Sequence, residues 1–164
     1  MDQPRILLLD TGPLRELILY AAIRDLGYAG LRRELRFLYS REQYNNLAAF
    51  IAQYRRRVTT PHVVSEISGW IIRTVEMGRS NFWSLVFEEF TKMGMDEETL
   101  KLLNMPLDLV ASLGATDVSL FKVASGFEPG MSTVLSVDGA LISECKNAGL
   151  SAHHLYEVIA AELT

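Results

Sequence analysis

Four carboxylates, Asp10, Glu66, Asp117 and Asp138, stand where a folded chain could use them for chemistry. Asp10 closes the run Ile6-Leu7-Leu8-Leu9, whose unbroken apolar character suits a strand buried on both faces of a parallel sheet. Asp138 follows a second run, Thr133–Val137, and is again succeeded by glycine and a helical pattern. Two parallel strands ending in aspartate would deliver both carboxylates to one sheet edge, the edge at which open α/β sheets bind ligands. Glu66 lies three residues after Val63 and four before Trp70, on or beside the apolar stripe of a helix, where an unpaired charge is costly. Asp117 precedes or starts a further helix in GATDVSLFKVA. The competing roles are helix capping for Asp10, Asp117 and Asp138, and for Glu66 a stripe-edge side chain reaching solvent or an arginine. Gathered at one edge, such acids repel each other unless a cation joins them, and hard divalent cations prefer oxygen ligands.

The elements that must position these acids alternate between strand and helix. After the strand at Ile6–Leu9, a helix is expected over Leu14–Asp25, with Leu14, Leu17, Ile18 and Ala21 on one face and Asp10 or Thr11 as its cap. A short helix is expected around Leu31–Tyr39. A stronger one spans Arg41–Tyr54 with Ser40 as N-cap. Val58-Thr59-Thr60 reads as a small strand, and Pro61 starts a helix running to about Met77. Ser80 or Asn81 caps the next, to about Met93, and Asp96-Glu97-Glu98 reads as the first turn of a short helix to Leu103. Pro106–Val110 reads as a brief strand and Thr116–Ser125 as a helix. Thr133–Val137 is then a strand, Asp138–Ala148 a helix, Ser151–His154 a last strand and Leu155–Leu163 a final helix. The expectation is a single α/β domain over residues 1–164 with a central parallel sheet flanked by helices in three layers.

Size and composition agree. The 164 residues suffice for one sizeable core, and 49% apolar with 22% charged residues is ordinary for a globular chain. No apolar run approaches the about 20 residues that span a bilayer. The N-terminal residues lack the pattern of a signal peptide, and a lone cysteine, Cys145, permits no internal disulfide. The expected location is the cytoplasm, with no membrane association. The net charge of −4 is uneven: residues 1–92 hold 13 Lys/Arg against 10 Asp/Glu, and residues 93–164 hold 3 against 10. Arginine dominates the first part, and Arg32, Arg33, Arg55, Arg56 and Arg57 are the candidates for contact with a nucleic-acid backbone. Solvated helix faces and helix C-termini are the competing account of those arginines.

Four stretches, LLLDTGPL, TPHVVSEI, GATDVSLFKVA and TVLSVDGALISECKNAGLSA, taken together and in this order, resemble the blocks of the PIN-domain family. The resemblance spans nearly the whole chain. It implies Asp10, Glu66, Asp117 and Asp138 as an acidic quartet binding Mg²⁺ or Mn²⁺, with Thr11 and Ser136 as supporting hydroxyls. It implies nuclease activity, usually on RNA, so the expectation is a metal-dependent endoribonuclease with RNA as substrate. The family also suggests a toxin of a toxin–antitoxin pair, with an antitoxin or other protein partner and a homodimer. Against the compact bacterial PIN toxins, this chain carries a long arginine-rich segment between Asp10 and Glu66 and a helical insertion at about Arg79–Leu103. The alternatives are a catalytically silent PIN-like binding module, or a nuclease acting on DNA.

Other chemistries find little support. Adjacent His153 and His154 would point to opposite faces of a strand, and too few Cys and His exist for a zinc site. Neither a nucleophile elbow nor a Gly-rich phosphate loop is present.

Overall fold

The chain enters the sheet at its centre. In the computed structural model, which describes residues 5–26, 40–75, 79–101 and 104–161, β1 (Ile6–Leu9) is buried at every position. Parallel to it on one side lies β2 (Arg56–Thr59), then β3 (Met95–Glu97); on the other side lie β4 (Ser132–Ser136) and β5 (Ser151–His154). All four pairings are parallel, giving the order β3-β2-β1-β4-β5. The chain thus builds outward from β1 to β3, then crosses back to β4 and continues to β5. That reversal leaves a crevice beyond the C-terminal ends of β1 and β4, the place where such sheets bind ligands. The unbroken apolar run of β1 exists because helices cover both faces of the sheet: Leu7, Leu8 and Leu9 are fully buried.

Among the described residues the helices are α1 (Thr11–Leu26), α2 (Arg41–Ala52), α3 (Pro61–Thr74), α4 (Arg79–Met93), α5 (Leu107–Leu113), α6 (Ala115–Ser125), α7 (Gly139–Asn147) and α8 (Leu155–Ala160). The α/β class and parallel sheet are as the sequence predicts. Ser40 caps α2 in a reciprocal capping box with Gln43, and Thr60 with Pro61 starts α3. On α6 the expected inward residues Val118, Phe121 and Ala124 are all buried.

Two local expectations are corrected. Asp96-Glu97-Glu98 does not open a helix: Asp96 and Glu97 belong to β3, and Glu98 N–H donates to Thr59 O at 3.0 Å. The reason is a cation on the adjacent strand, since Arg56 forms ion pairs with both Asp96 and Glu98. Nor is Pro106–Val110 a strand; Pro106 is the N-cap of α5, and Asp108 sits in the first turn, where a negative charge meets the helix dipole. The short helix expected around Leu31–Tyr39 lies outside the described residues. Among those described, no helix is long and apolar enough to cross a membrane.

Candidate active site

Each acid reaches the C-terminal side of the sheet by a different route. Asp10 directly follows β1, and its N–H continues the ladder to Leu135 O at 3.1 Å. Asp138 lies two residues beyond β4, whose Leu135 is the register partner of Leu9. Asp10 and Asp138 therefore flank the crevice where the strand order reverses. Asp117 sits in the first turn of α6, which precedes β4 and so begins at that same edge. Glu66 lies on α3, which leaves the end of β2.

Hydroxyls fix this arrangement. Ser136 Oγ donates to Asp10 Oδ2 at 2.5 Å and accepts the Asp138 N–H at 2.8 Å, so one side chain ties the first acid to the loop of the fourth. Thr11 Oγ1 donates to Glu66 Oε2 at 2.8 Å, linking α1 to α3. Thr116 Oγ1 donates to the other oxygen, Oε1, at 2.6 Å, linking α3 to α6. Below them, Thr59 Oγ1 donates to Leu9 O at 3.2 Å, and Thr60 and Ser119 share a buried hydroxyl contact of 2.8 Å. These contacts hold the ends of β1, β2, α3 and α6 together. The close approach also needs Gly12: a Cβ there would stand 2.7 Å from Val137 Cγ2. With no side chain, Gly12 lets the start of α1 pass the β4–α7 loop.

The electrostatics are those of like charges held close. Burial pushes the Asp10 carboxyl above its ordinary value, with Glu66 and Asp138 adding to the rise, while the hydrogen bonds from Ser136 and the Thr11 N–H oppose it. Asp117, half-buried, is pushed up to about 7, first by burial and then by the charges of Asp10, Asp138 and Glu66. The structure thus brings Asp10 and Asp117 within electrostatic reach of each other and of both Glu66 and Asp138. Among the described residues, none of the four forms an ion pair with lysine, arginine or histidine.

Several sequence readings are sharpened. Asp10 does not bond to the second or third N–H of α1; of the helix N–H groups its side chain accepts only that of Thr11, at 2.6 Å, so capping does not account for it. Asp138 does cap α7, accepting the Ala140 and Leu141 N–H groups, but both fall on Oδ1. Glu66 is exposed, so the burial cost expected of it does not arise. Thr11 and Ser136 each donate a hydroxyl hydrogen bond to one of the acids, Glu66 and Asp10 respectively. The sequence marks Thr116 only as the first residue of a helix, yet its hydroxyl holds Glu66.

Of the arginines expected to contact a nucleic-acid backbone, Arg55, Arg56 and Arg57 do not join the acids. Arg55–Arg57 lie at the N-terminal end of β2, about 13 Å of strand from Thr60. Arg56 is engaged by Asp96 and Glu98, and the Arg57 guanidinium donates to the Ile51 and Met93 carbonyls. Arg32 and Arg33 lie outside the described residues.

The donor set suits a hard divalent cation, being all oxygen, rich in negative charge and without a cationic partner among the described residues. As they stand, no three of the described His, Cys, Asp and Glu side chains gather closely enough to grip an ion. Hydroxyl and backbone donors claim oxygens of Asp10, Glu66 and Asp138 instead. No protein-family model matches this chain, and no curated protein matches it.

Proposed function

We propose that this chain is a metal-dependent endoribonuclease of the PIN-domain kind, acting at Asp10, Glu66, Asp117 and Asp138. The observation that carries this reading is the convergence of four acids, from four separate elements, on the β1/β4 crevice without a cationic partner among the described residues. Asp10, Glu66 and Asp117 would be the main ligands of Mg²⁺ or Mn²⁺, which when bound supplies a lowered pKa for bound water and stabilises charge at the scissile phosphate. Ser136 holds Asp10 in place, and Thr11 and Thr116 aim Glu66 from two sides. Asp138 keeps Oδ1 on the α7 backbone, so Oδ2 is the atom to orient the attacking water. Protonation of Asp117 near neutral pH competes with its use as a ligand, so activity should rise with pH through about 7. A cytoplasmic setting accords with the single cysteine, Cys145, which is free and buried.

A second reading, a catalytically silent PIN-like module, draws on the hydroxyls already occupying both oxygens of Glu66. One experiment separates the two. Quenched fluorogenic single-stranded RNA and DNA are incubated with the protein in Mg²⁺, Mn²⁺ or EDTA. Cation-dependent RNA cleavage supports the proposal. Cleavage of DNA alone moves the substrate, and intact RNA and DNA with either cation leave the silent module.

A further inference from the structure

An open cleft of about 430 Å³ adjoins the acids and is lined by Thr11, Arg15, Glu66, Gly69, Trp70 and Arg73. Its composition contrasts with the acidic crevice, for two arginines from different helices, α1 and α3, face one space. Arg15 is anchored: its Nε and Nη2 both donate to Oε1 of Glu16, at 3.3 and 3.0 Å, and the Glu16 side chain is only 1% exposed. An arginine tethered by two donors to a buried carboxylate keeps its remaining donors in a restricted orientation, which lowers the entropy lost on binding an anion. Arg73 is exposed and has no acidic partner among the described residues. Its guanidinium lies across Gly69, with Nη1 3.3 Å from where a Cβ would stand, so the bare glycine provides the bed for it.

We infer that Arg15 and Arg73 seat a backbone phosphate of the substrate strand next to the one cleaved. The inference rests on the nuclease reading for the identity of the strand. A cluster of four acids repels a polyanion, and cations on its flank are needed to draw the strand across it. Thr11 and Glu66 belong to both the cleft and the acidic site, so a strand lying on the arginines runs directly onto the acids.

The test uses the full chain with a fluorescein-labelled single-stranded RNA of mixed sequence, its anisotropy read in EDTA so that nothing is cut. Arg15→Gln and Arg73→Gln should each weaken binding about fivefold, as for partly exposed charge contacts. The double variant should lower the slope of log affinity against log salt by about 0.7, the loss of one phosphate contact on a single strand. Lys146→Gln, at the far end of α7, should bind as wild type. Circular dichroism establishes that each variant is folded. Unchanged affinity and salt slope in the folded double variant would overturn the inference, as would an equal loss in Lys146→Gln, or a wild type that does not bind RNA in low salt. Cleavage is scored separately. Cation-dependent cleavage with unaltered binding in the arginine variants removes this cleft and leaves the nuclease reading standing; weakened binding without cleavage under either cation does the reverse.

Discussion

Replacing Asp117 by asparagine should stabilise the protein at alkaline pH, the opposite of most substitutions at a half-buried polar position. The folded carboxyl is pushed up to about 7 from an ordinary 3.8, so the folded state holds this proton more tightly than the unfolded state. Its contribution to stability is fully present below about pH 3.8 and is lost as pH rises through 7. Each pH unit between those values corresponds to about 1.36 kcal/mol for a fully desolvated group, an upper limit of about 4 kcal/mol. Asp117 is half-buried, and solvent screening reduces this to about 1–2 kcal/mol. The amide of the Asp117→Asn variant has the same shape without the charge. Urea unfolding in EDTA at pH 8 should therefore place Asp117→Asn about 1–2 kcal/mol above wild type, with the gap closing toward pH 4. Mn²⁺ should reverse the order at pH 8, since a ligand at a hundredfold its Kd stabilises by about 2.7 kcal/mol and wild type binds it better. A variant less stable than wild type at pH 8 in EDTA, or a gap that does not change with pH, would refute the account of four mutually repelling carboxylates.

Other consequences are open to direct measurement. Gly12→Ala should lose about 1–3 kcal/mol in chemical denaturation and lower nuclease activity, because the new methyl meets Val137 at 2.7 Å and must push α1 from the β4–α7 loop. Thr116→Val frees one oxygen of Glu66 and should weaken Mn²⁺ affinity about tenfold or more in calorimetric titration while leaving the circular dichroism spectrum intact. Leu8→Ala, at a fully buried central-strand position, should cost about 2–5 kcal/mol by urea unfolding. Cys145 is buried and its thiol is pushed up to about 11 by that burial, so a disulfide-exchange reagent at pH 8 should react only after denaturant is added.

The acids differ in how much of their setting could be read in advance. Asp10 was legible because it directly follows a strand that is apolar throughout, the mark of a central parallel strand, and Asp138 because it follows a second run, Thr133–Val137, just before a helical pattern. Asp117 followed from its position at the start of a periodic helix. Thr116 was not legible, since its partner Glu66 is distant in sequence and only the packing of α3 on α6 brings them together. The strand β3 was hidden for a similar reason: Met95-Asp96-Glu97 has the acidity of a helix start, and only Arg56 on β2 gives those charges a reason to be extended. The adjacency of Arg55, Arg56 and Arg57 suggested a common surface, but their place at the start of β2 commits Arg56 to cross-strand acids and Arg57 to backbone carbonyls. Arg15 and Arg73 stood apart in the sequence and formed no cluster there; α1 and α3 bring them to one cleft.

The central proposal is that the carboxylate at the end of β1 anchors a cation-dependent nuclease site. Asp10→Asn removes the charge while keeping an oxygen to accept the Thr11 N–H; its amide nitrogen takes the place of the oxygen that accepts from Ser136 and can donate to that hydroxyl instead. The decisive measurement is the rate of single-stranded RNA cleavage in Mn²⁺ by wild type and by this variant, each purified in parallel and verified as folded. The account predicts cation-dependent cleavage by wild type and a loss of at least about a hundredfold in Asp10→Asn; equal rates in the two proteins would contradict it.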